Sequence, residues 1–138
     1  MKELVELHQA FYDAIERGDF QAMSEIWAED TADRVPKCVH PGWPMLSGRS
    51  EVLRSWALIM ANTPYIQFVL TDVEANVFGD VAVLTCAENI LTAPGAGEPG
   101  FAAGRVVASH TYLRTEDGWR LWLYHGSPVL QGEEDGRA

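Results

Sequence analysis

Residues 38 to 43 read Cys-Val-His-Pro-Gly-Trp. A thiol, an imidazole and an indole within six positions can serve a ligand, while the Pro41-Gly42 pair can equally turn the chain at a corner of the fold. His40 is the most versatile member, because an imidazole titrates near neutrality and can act as a general base. Cys38 lies two residues away, on the same face if the stretch is extended. With no cation or helix start beside it to lower its pKa, Cys38 reads as a small buried hydrophobe rather than a nucleophile. Trp43, together with Trp27 and Trp56, supplies an aromatic wall suited to a flat or hydrophobic molecule.

A second group with chemical potential is Glu88, inside VAVLTCAENIL. It shares a strand face with Leu84, Cys86 and Ile90, a setting that raises a carboxyl pKa and makes it a general acid or base. The alternative is a strand-end glutamate with its head in water. Four histidines also invite a metal. His40, His110 and His125 lie on different strands, and His8 falls on the apolar side of the first helix. Neither HxH nor HExxH occurs, so no metal site is expected. His110 and His125 can instead be hydrogen-bonded neighbours of a final hairpin or part of a ligand-binding surface. There is no GxSxG, CxxC or phosphate-binding glycine loop, and no cofactor is expected.

These groups need positioning elements. Leu4, Leu7, Phe11, Ala14 and Ile15 form one helical stripe over residues 2 to 17, with Gly18 as a left-handed stop. Asp19 can cap a short second helix with Phe20, Met23, Ile26 and Trp27 on its apolar face. A third helix starts at Ser47 or Gly48, carries Val52, Leu53, Trp56, Ile59 and Met60 inward, and ends before Pro64. The period then changes. Residues 66 to 78 and 81 to 92 are β-branched and aromatic, joined by a Gly79-Asp80 hairpin turn. After a Gly/Pro-rich stretch at 94 to 104, read as a flap, strands at 105 to 114 and 119 to 129 pair through Thr115 to Gly118. One more short strand is expected within 34 to 40. Helices followed by an antiparallel meander define an α+β fold. In the last strand, alternation puts Trp119, Leu121, Leu123 and His125 on one face and Trp122 and Tyr124 on the other. Both faces are apolar, which predicts helices on one and a second copy of the chain on the other.

The chain has 138 residues, enough for one domain, read as 1 to 130 with a polar tail at 131 to 138. Twenty Asp and Glu against ten Lys and Arg give a net charge of −10, which disfavours nucleic acid and anionic membranes as partners. The first 19 residues lack the unbroken apolar run of a secretory signal or a spanning helix. Two isolated cysteines suit a reducing cytoplasm better than a disulfide framework.

A helix ending in ERGDF, the following Trp-Ala-Glu-Asp, the block CVHPGWPMLSGRSEVLRSW and the final strand GWRLWLYHGSPV together resemble the SnoaL-like, ketosteroid-isomerase-like branch of the nuclear transport factor 2-like superfamily. The resemblance implies a cone, in which a curved antiparallel sheet wraps around three helices in the cystatin-like manner. It also implies an apolar cavity at the open end and a homodimer through the outer sheet face. Ketosteroid isomerases place an oxyanion-donating tyrosine on the first helix, and the corresponding position here is Phe11. Tyr12 is about 100° further around the helix and replaces that donor only if the register shifts. The isomerase base is an aspartate on the strand after the second helix, and no carboxylate lies in the matching segment from Arg34 to His40. His40 is then the alternative base, with Glu88 as its partner. Tyr12, Trp27, Cys38, Trp43, Trp56, His110 and His125 are the candidate ligand contacts.

Because this cone hosts unrelated activities, the sequence leaves three functions open. One is an isomerase, cyclase or hydratase moving protons on a small hydrophobic molecule. The others are a non-catalytic binding module and a dimerisation domain whose cone is filled by its own side chains.

Overall fold

In a computed structural model that describes residues 1–93 and 102–130, the elements run α1 Lys2–Arg17, α2 Phe20–Ile26, β1 Lys37–Val39, β2 Leu46–Ser47, α3 Arg49–Asn62, β3 Ile66–Phe78, β4 Val81–Thr92, β5 Ala102–Thr115 and β6 Gly118–Pro128. The expected flap falls mostly outside the described residues, and the expected tail wholly so. Local chemistry fixes the helix ends as anticipated. Gly18 adopts φ 66°, which lets its N–H and that of Asp19 close on the carbonyls of Ile15 and Ala14. The Asp19 carboxylate then accepts from the Ala22 N–H and starts α2.

The strands form one six-stranded sheet in the order β2-β1-β6-β5-β4-β3. It is mixed rather than purely antiparallel, because β1 runs parallel to β6 while every other pair is antiparallel. This corrects the expected sheet in one respect. The short strand β1 extends the meander beyond β6, running parallel to it, and β2 adds the outermost strand.

Two bulges shape the sheet. Between Thr71 and Glu74, β3 advances three residues while β4 advances two, and Asp72 takes the strain at φ 57°. In β6, Leu121 pairs with Tyr112 and Leu123 with Thr111, so Trp122 is the extra residue. That single insertion inverts the alternation beyond it. Trp119 and Leu121 are buried, but after Trp122 it is Tyr124 and Gly126 that are buried, while His125 is exposed. The expected placement of Leu123 and His125 beside Leu121 is thereby corrected, since a pure period of two cannot register a bulge.

The concave face closes over α1, whose buried residues Leu4, His8, Phe11, Tyr12, Ala14 and Ile15 span a wide arc. β4 contributes Ala82, Leu84, Cys86 and Glu88 in strict alternation. The outer face keeps Val69 and Phe78 on β3, Val81 on β4 and Val107 on β5 exposed. Among the described residues, no helix is long and apolar enough to cross a membrane.

Candidate active site

Glu88 is only 2% exposed although it carries an ionisable group. Its position on β4, one strand from β5 and two from β6, points it into the cone, where α1 and β6 each supply a phenol. The Tyr12 hydroxyl donates to Glu88 Oε2 at 2.6 Å, and the Tyr124 hydroxyl donates to the same oxygen at 2.8 Å. Burial pushes the Glu88 carboxyl above its ordinary range, and the hydrogen bonds from Tyr12 and Tyr124 pull against that rise. The strand-end alternative, with the carboxyl in water, is excluded by this geometry. Burial also drives both phenols up, with the neighbouring Glu88 adding to it, so they remain donors.

The donors are themselves oriented. Tyr12 spends its one hydroxyl hydrogen on Glu88 and lies 3.0 Å from His110 Nε2, so that nitrogen carries a hydrogen and donates to Tyr12. His110 Nδ1 is then left to accept from the Tyr112 hydroxyl at 3.2 Å. His110 is fully buried, and desolvation holds it neutral, well below its ordinary pKa. The result is a directional chain, Tyr112 to His110 to Tyr12 to Glu88, with every donor aimed at the carboxyl. His8 packs edge-on against His110 at 4.5 Å between ring centres and is lowered to about 4 by burial.

Across the cone, His40 is 3% exposed and burial lowers its pKa to about 4. Its Nε2 lies 2.8 Å from Ser55 Oγ, and that hydroxyl donates to the Val52 carbonyl at 2.6 Å. Ser55 has one hydrogen, so toward His40 it accepts. Nε2 therefore carries the imidazole hydrogen, and Nδ1 keeps a lone pair with no partner among the described residues. Cys38 sits behind, with Sγ 3.6 Å from His40 Nε2, fully buried and pushed up to about 12 by desolvation. It is a packing thiol and does not border the cavity that His40 and Glu88 share, which corrects its expected place among the ligand contacts.

His40 and Glu88 border the same cavity, of about 170 Å³, together with Tyr124. Trp56 forms one wall, with its ring edge-on to His40 at 4.5 Å, and the half-exposed Trp43 stands at the mouth, 4.7 Å from the same imidazole. Four isoleucines, Ile15, Ile59, Ile66 and Ile90, and Phe68 complete most of the lining. Tyr12 and His110 lie behind Glu88 rather than on the cavity surface. Tyr12 reaches the Glu88 carboxyl without bordering the cavity, so it does not stand where the oxyanion-donating tyrosine was expected to face a ligand. The sheet curls far enough around α1 to bury Phe11 and Tyr12 together.

Besides Tyr12, Cys38 and His110, two more of the anticipated contacts lie off the cavity. Trp27 is buried beside Leu121 and borders a separate open cleft of about 550 Å³, edged by Glu25, Glu29, Arg34 and Asp117. That cleft is larger, but it holds no buried titratable group, whereas the smaller cavity holds three, His40, Glu88 and Tyr124. His125 faces outward, so His40, His110 and His125 do not converge. Sequence reading missed Ser55, whose role depends on the helix facing His40, and Tyr124, which the β6 bulge turns inward.

Gly126 makes the Tyr124 arrangement possible. A Cβ at position 126 would lie 2.7 Å from the Tyr124 hydroxyl oxygen and 3.1 Å from Pro41 Cγ. Gly126→Ala is expected to cost about 1 to 3 kcal/mol in urea unfolding, the usual penalty for overpacking. In a double-mutant cycle, Tyr124→Phe should cost less in the Gly126→Ala background than in the parent, because the clashing oxygen is gone. Strict additivity of the two would show that the glycine does not serve the phenol.

The chain matches the SnoaL-like domain model over residues 4–131. A crystal structure from Streptomyces avermitilis, described as "a putative dehydratase from the NTF2-like family", shares 50% identity over 94% of this chain and 95% of that one, with a TM-score of 0.88. An NTF2-like protein with a cystatin-like fold from Novosphingobium aromaticivorans superposes with a TM-score of 0.72 at 23% identity, covering 99% and 83% of the two chains. No curated protein matches the chain. Concave sheet, wrapped helix and family match agree, and the chain belongs to the SnoaL-like family with the NTF2-like, cystatin-like α+β fold.

Proposed function

We propose that the protein is an acid–base enzyme that moves protons on a small hydrophobic molecule, by eliminating or adding water or by isomerisation, with His40 and Glu88 as the proton carriers. One observation carries the reading. Both groups border one cavity, and each has its other polar atom tied back, His40 Nε2 to Ser55 and Glu88 Oε2 to two phenols. A proton can then enter or leave only through His40 Nδ1 and Glu88 Oε1. Neither atom has a protein partner among the described residues. The description of the Streptomyces avermitilis relative favours elimination of water among these reactions.

The roles follow from the environments. Burial keeps His40 neutral at pH 7, so its lone pair is available to take a proton from a carbon beside a carbonyl. Burial favours the protonated form of Glu88, which can deliver its proton to a departing hydroxyl. The C–H and C–O bonds break, a C=C bond forms and water leaves. The imidazolium and carboxylate that remain exchange one proton to reset the site, and the reverse sequence is hydration.

Deuterium exchange tests this without knowledge of the natural substrate. Incubated in D₂O with 3-hydroxycyclohexanone and followed by NMR, the protein is expected to accelerate exchange beside the carbonyl or loss of water. His40→Asn and Glu88→Gln should each lower the rate by about 10²- to 10⁴-fold, the usual worth of a positioned acid or base. Saturable binding with exchange at the buffer rate would establish a binding module instead.

The reading includes the homodimer. Support comes from the exposed apolar residues of the outer face, Val69, Phe78, Val81 and Val107, on a sheet whose other face is already covered. Sedimentation equilibrium at micromolar concentration is expected to give twice the 15.3 kDa chain mass, and a 15.3 kDa species would contradict it.

A further inference from the structure

Cavity size and the character of its lining limit what can react. The cavity offers about 170 Å³ and opens at a mouth beside Trp43. An apolar cavity of about 150 Å³ accommodates benzene, whereas sites for drug-sized ligands span about 300 to 1,000 Å³. The space beside Glu88 thus matches one six-membered ring with a small substituent. Its walls are not easily moved. Trp56 is edge-on to Phe11, His40 and Tyr124 at once, and Tyr124 is held by both Glu88 and the close approach of Gly126. Enlarging the cavity by rotating either ring would break several contacts together.

Charge narrows the class further. The lining contains no lysine or arginine, and its polar members are His40, Glu88 and Tyr124. The hydroxyl of Tyr124 is already committed to Glu88. A carboxylate, phosphate or sulfate on the reacting part would lose its hydration, gain no cation and face Glu88, in a chain of net charge −10. An uncharged hydroxyl can donate to His40 Nδ1, and a carbonyl can accept from Glu88 Oε1 in its protonated form.

We infer that the substrate presents an uncharged single ring, carrying a carbonyl or hydroxyl, to His40 and Glu88, and that fused polycyclic and anionic molecules are excluded from the reacting position. This rests on the proposed function for the cavity's place as the reaction site, but it concerns binding and is tested by binding.

Three probes separate the possibilities in ligand-detected NMR titrations at pH 7. Benzamide is neutral with one ring, benzoate has the same shape with a negative charge, and 2-naphthamide is neutral with a second fused ring. Benzamide is expected to bind at least tenfold more tightly than either of the others. Ile59→Ala trims a lining side chain at the cavity wall rather than one of the central rings, and it should reduce the 2-naphthamide disadvantage by at least threefold while leaving the benzoate disadvantage in place. Equal or tighter binding of 2-naphthamide or benzoate to the parent protein would overturn the inference. So would the lack of saturable benzamide binding, or no change in ranking with Ile59→Ala. Benzamide-selective binding in a protein that exchanges no deuterium would preserve the ligand class while removing the catalytic reading. Exchange on a bicyclic ketone together with tight 2-naphthamide binding would do the opposite.

Discussion

A carboxyl group in the interior of the cone, with one oxygen held by two phenols, is the constraint around which the rest of this molecule is arranged. An unpartnered carboxylate placed there would cost several kcal/mol in lost hydration. Hydrogen bonds to a charged group recover about 1.5 to 3 kcal/mol each. The two phenols come from opposite ends of the chain, Tyr12 on α1 and Tyr124 on β6, so the Glu88 carboxyl ties the first helix to the centre and the end of the sheet. Misplacing either element would leave a buried acid under-satisfied, which makes the polar cluster a specifier of the packing as well as a chemical group.

The sheet has the form that this arrangement needs. Extra residues in β3 and β6 increase twist and coil the strands around α1, and the one in β6 also selects which of its side chains face inward. Were β6 regular through Trp122, with no bulge, His125 would point into the cone and Tyr124 away from it. Gly126, on the same inner face, leaves room for the phenol to reach across. On the far side, Ser55 plays for His40 the part that Tyr12 and Tyr124 play for Glu88, occupying one polar atom and leaving the other free. Both groups thus border the cavity with their orientation fixed, His40 by a serine whose own hydrogen goes to the Val52 carbonyl and Glu88 by two phenols that donate to it.

Much of this was legible in the order of residues. Gly18 and Asp19 mark the α1–α2 junction, the Gly79-Asp80 turn fixes the β3–β4 hairpin, and the alternation of Ala82, Leu84, Cys86 and Glu88 places the glutamate on the inner face. His40 stood out because its surroundings are apolar and its side chain is not. Long-range facts were not legible. A bulge leaves no mark in a hydrophobic period of two, so the faces of Tyr124 and His125 were exchanged. The width of the buried arc on α1 depends on how far the sheet curls, so Tyr12 and Phe11 looked like alternatives when both are buried. Trp27 and Trp56 are both aromatic residues on helical faces, and nothing local distinguishes the one that borders the cavity from the one that does not. Likewise, Ser55 is an ordinary helical serine until His40 is brought against it.

The most direct measurement is the titration of the Glu88 carboxyl by ¹³C NMR in glutamate-labelled protein, assigned by the signal lost in Glu88→Gln. A buried proton carrier held by two phenols titrates above the ordinary value of 4.5, and higher still in Tyr124→Phe, where one hydrogen bond that favours the charged form is gone. A Glu88 signal that titrates at or below 4.5, or that ignores the removal of the Tyr124 hydroxyl, would contradict the buried, phenol-held carboxyl on which the chemistry depends.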